Sequence, residues 1–122
     1  MANIVILDDV ADAVELIRKI LSRKGHTVTG FTEEEEAVAH VRANSTDLCI
    51  LDIKLKKMSG IEVLALLKQA KPSIKVIMLT GYPTLETARE AMKLGALEYC
   101  VKPIEKDELE EKVAKVLAPD RT

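Results

Sequence analysis

Apolar residues along this chain fall into two kinds of pattern: short unbroken runs, and longer stretches in which they recur every three or four positions. The short runs are Ile4, Val5, Ile6 and Leu7; Leu48, Cys49, Ile50 and Leu51; Val76, Ile77, Met78 and Leu79; and Tyr99, Cys100 and Val101. Runs of this length bounded by turn residues predict strands buried on both faces. A fifth, half-polar strand is expected over 26–30, nearer a sheet edge. Each apolar run stops abruptly at polar groups. The first meets Asp8 and Asp9, the second Asp52, the third Thr80 and Gly81, and the fourth Lys102 and Pro103.

Between the strands the period changes to that of a helix. Over 10–24, apolar residues at 10, 13, 14, 17, 20 and 21 define one face, and Gly25 marks the stop. A second helix is expected from a capping box of Thr32 and Glu35, burying Ala37, Val38 and Val41. Its acidic run, residues 33–36, suits the positive end of a helix dipole and reads as a solvated first turn. A third helix over 61–70 buries Val63, Leu64, Leu67 and Leu66. In the fourth, Pro83 fits the N-terminus, and Leu85, Ala88, Ala91 and Met92 form a narrow apolar stripe that ends at Gly95. The last, over 105–117, turns Leu109, Val113, Val116 and Leu117 inward before Pro119.

Five strands alternating with five helices predict an α/β domain, a parallel sheet with helices on both faces. The helical segments are long enough to make right-handed crossovers. In such open sheets, ligands bind beyond the carboxyl ends of the strands. All the polar residues that end the apolar runs lie at such ends, so the pattern itself predicts one converged site.

Length and composition narrow this further. At 122 residues the chain reads as a single domain, 1–122, with 48% hydrophobic and 31% charged residues. Net charge is −2, without the basic excess of a nucleic-acid-binding domain. Aromatic residues make up 2%, too few for base-stacking platforms. No signal peptide or membrane span is read, so a cytoplasmic location is expected. Cys49 and Cys100 sit in apolar runs and read as small core residues in a reducing compartment.

Three carboxylates, Asp8, Asp9 and Asp52, beside Lys102 make a hard-oxygen site whose like charges call for a cation or a proton. Magnesium suits carboxylate oxygens and recruits phosphate oxygens. The two histidines, His26 and His40, have no ligand spacing for zinc. A carboxylate can also attack phosphorus to give an aspartyl phosphate. Transfer then needs positioning and charge neutralisation, which Thr80, Lys102 and a metal ion would supply, with Gly81 leaving room. Each residue has an ordinary reading: Asp8 or Asp9 as a helix cap, Thr80 as a cap, Lys102 as a surface partner. The five together at strand ends favour a site.

This ordered set resembles the receiver domain of two-component response regulators over essentially the whole chain. The resemblance implies the doubly wound, flavodoxin-like order 2-1-3-4-5, for which a chemotaxis receiver is a standard example. Asp8 and Asp9 match the family's metal-binding acids, Asp52 its phosphoacceptor and Thr80 its switch hydroxyl. Lys102 and Pro103 match its lysine-proline pair, whose peptide bond is typically cis. Tyr99 matches the aromatic that swings inward on activation, and Gly60 the loop glycine after the third strand. In the family, Asp9, Asp52 and the carbonyl at the position of Lys54 bind Mg2+, and Asp8 acts through a bound water. Many members carry proline where this chain has Lys56. Lys54 and Tyr82 stand where the family tunes the lifetime of the phosphoryl group.

The resemblance implies a switch rather than an enzyme, catalysing only its own phosphorylation and dephosphorylation. A sensor histidine kinase or phosphotransfer protein would donate the phosphoryl group. The face of the fourth helix, fifth strand and fifth helix would then control a downstream output protein or domain. Homodimerisation through the last two helices is common in the family. Residues 80–84 resemble regulators of sigma-54-type ATPases. An aspartyl phosphatase or mutase of the haloacid-dehalogenase type is disfavoured, because Val10 and Ala11 stand where it needs a second acid. A phosphate-independent receiver-like module generally lacks one of the residues kept here. A nucleotide-binding domain would need a glycine-rich loop after the first strand.

Overall fold

The computed structural model describes residues 1–119. Along the chain run β1 (Asn3–Leu7), α1 (Ala11–Arg23), β2 (Thr27–Phe31), α2 (Glu34–Ala43), β3 (Leu48–Leu51), α3 (Gly60–Ala70), β4 (Lys75–Thr80), α4 (Leu85–Lys93), β5 (Glu98–Val101) and α5 (Lys106–Leu117). The strands form one parallel sheet in the order β2-β1-β3-β4-β5, as expected.

Successive side chains of a strand point to opposite faces, so a strand covered on both sides has no polar positions to alternate. That is why β1, β3 and β4 read as unbroken apolar runs. Val5, Leu7, Cys49, Leu51, Val76 and Met78 pack on the α2 and α3 side. Ile4, Ile6, Leu48, Ile50, Ile77 and Leu79 pack with α1 and α5. β2 lies at one edge with only half-buried or exposed residues. Among the described residues no helix is long and apolar enough to cross a membrane.

Register brings the polar strand ends together. Leu7 pairs with Leu51, and the Asp52 N–H donates to the Leu7 carbonyl at 2.9 Å, so Asp8 and Asp52 emerge side by side. Thr80 pairs with Val101, and the Lys102 N–H donates to the Thr80 carbonyl at 2.8 Å.

Several local expectations are corrected. The capping box is not formed: Glu33 is the N-cap of α2 and makes no side-chain capping bond. The acidic run is not all solvated either, because Glu34 is 1% exposed. α3 starts at Gly60, capped by Ser59, whose hydroxyl accepts from the N–H groups of Ile61 and Glu62. α4 starts at Leu85 with Thr84 as its cap, which leaves Pro83 just outside the helix. Its apolar stripe is mostly uncovered: Ala91 is its only buried residue, while Leu85 and Met92 are exposed. Val10, counted into the buried face of α1, is exposed at the helix start.

Candidate functional site

The carboxyl ends of β1, β3, β4 and β5 converge as the pattern predicted. Asp8, at the end of β1, is buried; its Oδ1 accepts from the Val10 N–H at 2.9 Å, closing the turn into α1. Asp9 follows, half-buried. Asp52, just past β3, is 6% exposed, and its Oδ1 accepts a long 3.4 Å bond from the Lys54 N–H. Asp8, Asp9 and Asp52 each offer a carboxylate oxygen within 4.8 Å of the others. Among the described residues this is the one cluster of ligand-type side chains fit to hold an ion.

Lys102 bridges two of the three acids, its Nζ lying 2.5 Å from Asp8 Oδ2 and 3.0 Å from Asp52 Oδ2. Burial alone would push its ammonium down, but the bonds to Asp8 and Asp52 outweigh it and hold the group above the usual lysine range. One ammonium therefore faces three carboxylates. The remaining negative charge and the all-oxygen donor set fit a hard divalent cation. The Lys102–Pro103 peptide bond is cis.

Thr80 is fully buried, and its hydroxyl accepts from the Tyr82 N–H at 3.0 Å. Tyr99 is half-buried, and its hydroxyl reaches Thr87 Oγ1 at 2.8 Å and the Thr84 N–H at 3.4 Å, both at the start of α4. The Lys54 ammonium lies 4.2 Å over the Tyr82 ring, so the loops after β3 and β4 touch across the site.

Two glycines differ in what they permit. A methyl at Gly81 would meet nothing closer than Lys102 Cδ at 3.9 Å, which leaves open space as expected. A methyl at Gly60 would lie 1.9 Å from the Asp52 carbonyl oxygen. Only glycine lets the first turn of α3 come this close to the Asp52 backbone. Gly60 donates its N–H to the Ile53 carbonyl at 2.7 Å, fastening that contact.

One residue at the site's edge was not anticipated. The Glu34 carboxylate, on the first turn of α2, accepts the backbone N–H groups of Lys57 and Met58, in the loop that follows Asp52. Burial works to raise this carboxyl, yet the N–H bonds of Glu34, Met58 and Lys57 prevail and keep it below the usual glutamate range. The signal was present in the spacing. Glu34 lies on the helical face of Ala37, Val38 and Val41, so it is an acid on an apolar stripe.

Cys49 and Cys100 are buried and free, on strands separated by β4, and burial pushes the Cys49 thiol up to about 12.

Residues 4–114 match the family model described as the response regulator receiver domain. The transcriptional regulatory protein ZraR of Salmonella typhimurium is 34% identical over 98% of this chain, which spans 27% of that relative's length. The CheY-like receiver domain protein of Methanospirillum hungatei superposes with a TM-score of 0.93 at 32% identity, covering 96% of this chain and 94% of that one. The response regulator TrrA of Thermotoga maritima, solved in complex with Mg(2+)-BeF, gives 0.87 at 34% identity, covering 96% and 100%. With its strand order and its converged acids, lysine and threonine, this chain belongs to the response regulator receiver domains of two-component systems.

Proposed function

We propose that the chain is a phosphorylation-driven switch that accepts a phosphoryl group on Asp52. The observation that carries this reading is the convergence of Asp8, Asp9, Asp52 and Lys102 beside the buried Thr80 hydroxyl. Asp9, Asp52 and the Lys54 carbonyl would hold Mg2+, with Asp8 acting through water. Bound there, the ion would neutralise the carboxylates and the charge of the incoming phosphoryl oxygens.

The chain's own groups do the rest. An Asp52 oxygen gives its electron pair to phosphorus as the phosphorus–nitrogen bond of a donor phosphohistidine breaks, and that bond's pair returns to the imidazole. Lys102 exchanges its Asp52 contact for a phosphoryl oxygen. The Thr80 hydroxyl leaves the Tyr82 N–H and donates to another oxygen. In the return step water attacks phosphorus, the bond to Asp52 breaks with its electron pair returning to the carboxylate, and dihydrogen phosphate departs with both protons of the water. The chain thus acts catalytically only on itself, which makes it a switch and not an enzyme. An apolar groove lined by Ala13, Leu16, Ile17, Leu79, Pro103 and Ile104 opens beside Lys102 and supports docking of a sensor kinase or phosphotransfer protein in the cytoplasm.

Withdrawal of Thr80 leaves room for Tyr99, which must first break its bonds to Thr87 and Thr84. The start of α4 is thereby remodelled, and the face of α4, β5 and α5 changes for an output partner. The exposed Leu85, Met92, Leu97 and Val101 give that face apolar contact area.

Intact mass after incubation with magnesium and acetyl phosphate tests the reading. One acid-labile phosphoryl group is expected, absent from Asp52→Ala. A folded, magnesium-binding protein that gains none would overturn it.

A further inference from the structure

The loop over 53–59 carries the main chain that follows Asp52, yet it has almost no secondary structure of its own. Among the described residues, the backbone N–H groups between 55 and 58 find hydrogen-bond partners only in Glu34: its Oε2 accepts from Lys57 and, at 2.9 Å, from Met58. The contact spans 23 and 24 residues of sequence, from one helix to the loop of another βα unit. Glu34 is 1% exposed, and its second oxygen is buried without a partner. An ionised carboxylate held out of water at such cost is not a surface ornament. On either side, the loop's charges meet the same helix turn: Lys56 Nζ lies 2.9 Å from Glu33, and Lys57 Nζ 3.8 Å from Glu35. Those two pairs are exposed and contribute little. The two backbone bonds onto Glu34 are the part that fixes position.

We infer that Glu34 is a positioning residue for the acceptor site: through the Lys57 and Met58 amides it sets the path of the loop that presents the Lys54 carbonyl beside Asp52. The inference rests on the phosphoryl-acceptor reading above. The loop is also held by Gly60 against Asp52 and Ile53, by the Ser59 cap, by Lys54 over the Tyr82 ring, and by the Leu55 and Met58 side chains packed on the core. Among the described residues none of these bonds the main-chain amides of 56–58, so without Glu34 that stretch of backbone shifts and the carbonyl loses its place. Lys54 itself cannot compensate, because its own N–H bond to Asp52 is long, at 3.4 Å.

Two variants separate positioning from simple stability. Glu34→Ala removes the acceptor. Glu34→Gln keeps one oxygen able to take both N–H groups, but puts an amide nitrogen where the buried oxygen has no partner, so it loses stability and retains the hold. Two readouts are taken beside thermal unfolding. One is amide exchange of Lys57 and Met58 in the metal-free protein. The other is the magnesium concentration that half-saturates amide chemical shifts around Asp52, with MgCl2 as the only addition.

Glu34→Ala is expected to speed exchange at both amides by about tenfold, the equivalent of one lost hydrogen bond. It is also expected to raise the half-saturating magnesium concentration by about 10- to 100-fold, as loss of a group supporting metal ligands does. Glu34→Gln should stay close to wild type in both while unfolding earlier. If Glu34→Ala unfolds outright, Glu34→Gln carries the test, and a magnesium response weakened in step with its stability overturns the inference. Wild type that responds to magnesium with Glu34→Ala unchanged overturns it too, and leaves the acceptor reading standing. Wild type that neither binds magnesium nor takes up a phosphoryl group overturns the acceptor reading and this inference with it.

Discussion

α3 and α4 stand in equivalent places, each following a strand whose last polar side chain belongs to the site, yet they are held in opposite ways. α3 buries Ile61, Val63, Leu64 and Leu67 and is pressed against the Asp52 backbone through Gly60. α4 buries only Ala91 and leaves Leu85 and Met92 in solvent, its start fastened by hydroxyl bonds among Thr84, Thr87 and Tyr99. Each buried aliphatic side chain contributes about 1.5–3 kcal/mol, so several kcal/mol separate the two helices in the cost of local opening. On the proposed reading, the difference divides the site into a fixed half, which would set where Asp52 sits, and a movable half, which would report on its phosphorylation.

Four measurements would break or sharpen this division. Leu64→Ala, at a fully buried position of α3, should cost about 2–5 kcal/mol in urea unfolding, while Leu85→Ala stays within about 0.5 kcal/mol. Equal costs would erase the contrast. Gly60→Ala should cost about 1–3 kcal/mol, because its methyl has to displace the Asp52 carbonyl. It should also slow uptake of phosphoryl from acetyl phosphate, where Gly81→Ala in the metal-free protein leaves stability nearly unchanged. Tyr99→Phe removes the hydroxyl that ties β5 to α4, for a loss of about 0.5–1.5 kcal/mol. Amide exchange should quicken across α4 and leave α3 as it was.

The smallest effect is one of pH. The Glu34 carboxyl lies below its ordinary 4.5, so its contribution is complete above that value and fades as pH falls through the folded-state value. The stability gap between wild type and Glu34→Gln should therefore narrow in acid below pH 4.5, measured by thermal unfolding.

The fixed half was the more legible in the sequence. Strands buried on both faces leave unbroken apolar runs, and the acids and threonine that end them were visible without any knowledge of register; the lysine follows β5, an edge strand expected to be buried in which only Cys100 is. Leu64 and Leu67 were equally plain. The movable half was misread because periodicity reveals a stripe but not what covers it: Leu85 and Met92 keep helical spacing and face water. Glu34 was hidden for a different reason. It stands in a run of four glutamates, and its partners are two main-chain amides in a distant loop, which carry no side-chain signature. The capping box failed at the same place, since Glu33 takes the N-cap position and α2 begins at Glu34, two residues beyond Thr32.

The Lys54–Tyr82 and Tyr99–Thr87 contacts have an optical consequence. The chain has no tryptophan and two tyrosines, so its near-ultraviolet emission comes from Tyr82 and Tyr99. One ring lies under the Lys54 ammonium and the other ends in a shared hydroxyl bond, both on the side of the site that the proposed switch would move. If the proposed switch operates, unlabelled protein carries a spectroscopic gauge of it: Tyr99 senses the start of α4, and Tyr82 senses the loop after β3 through Lys54.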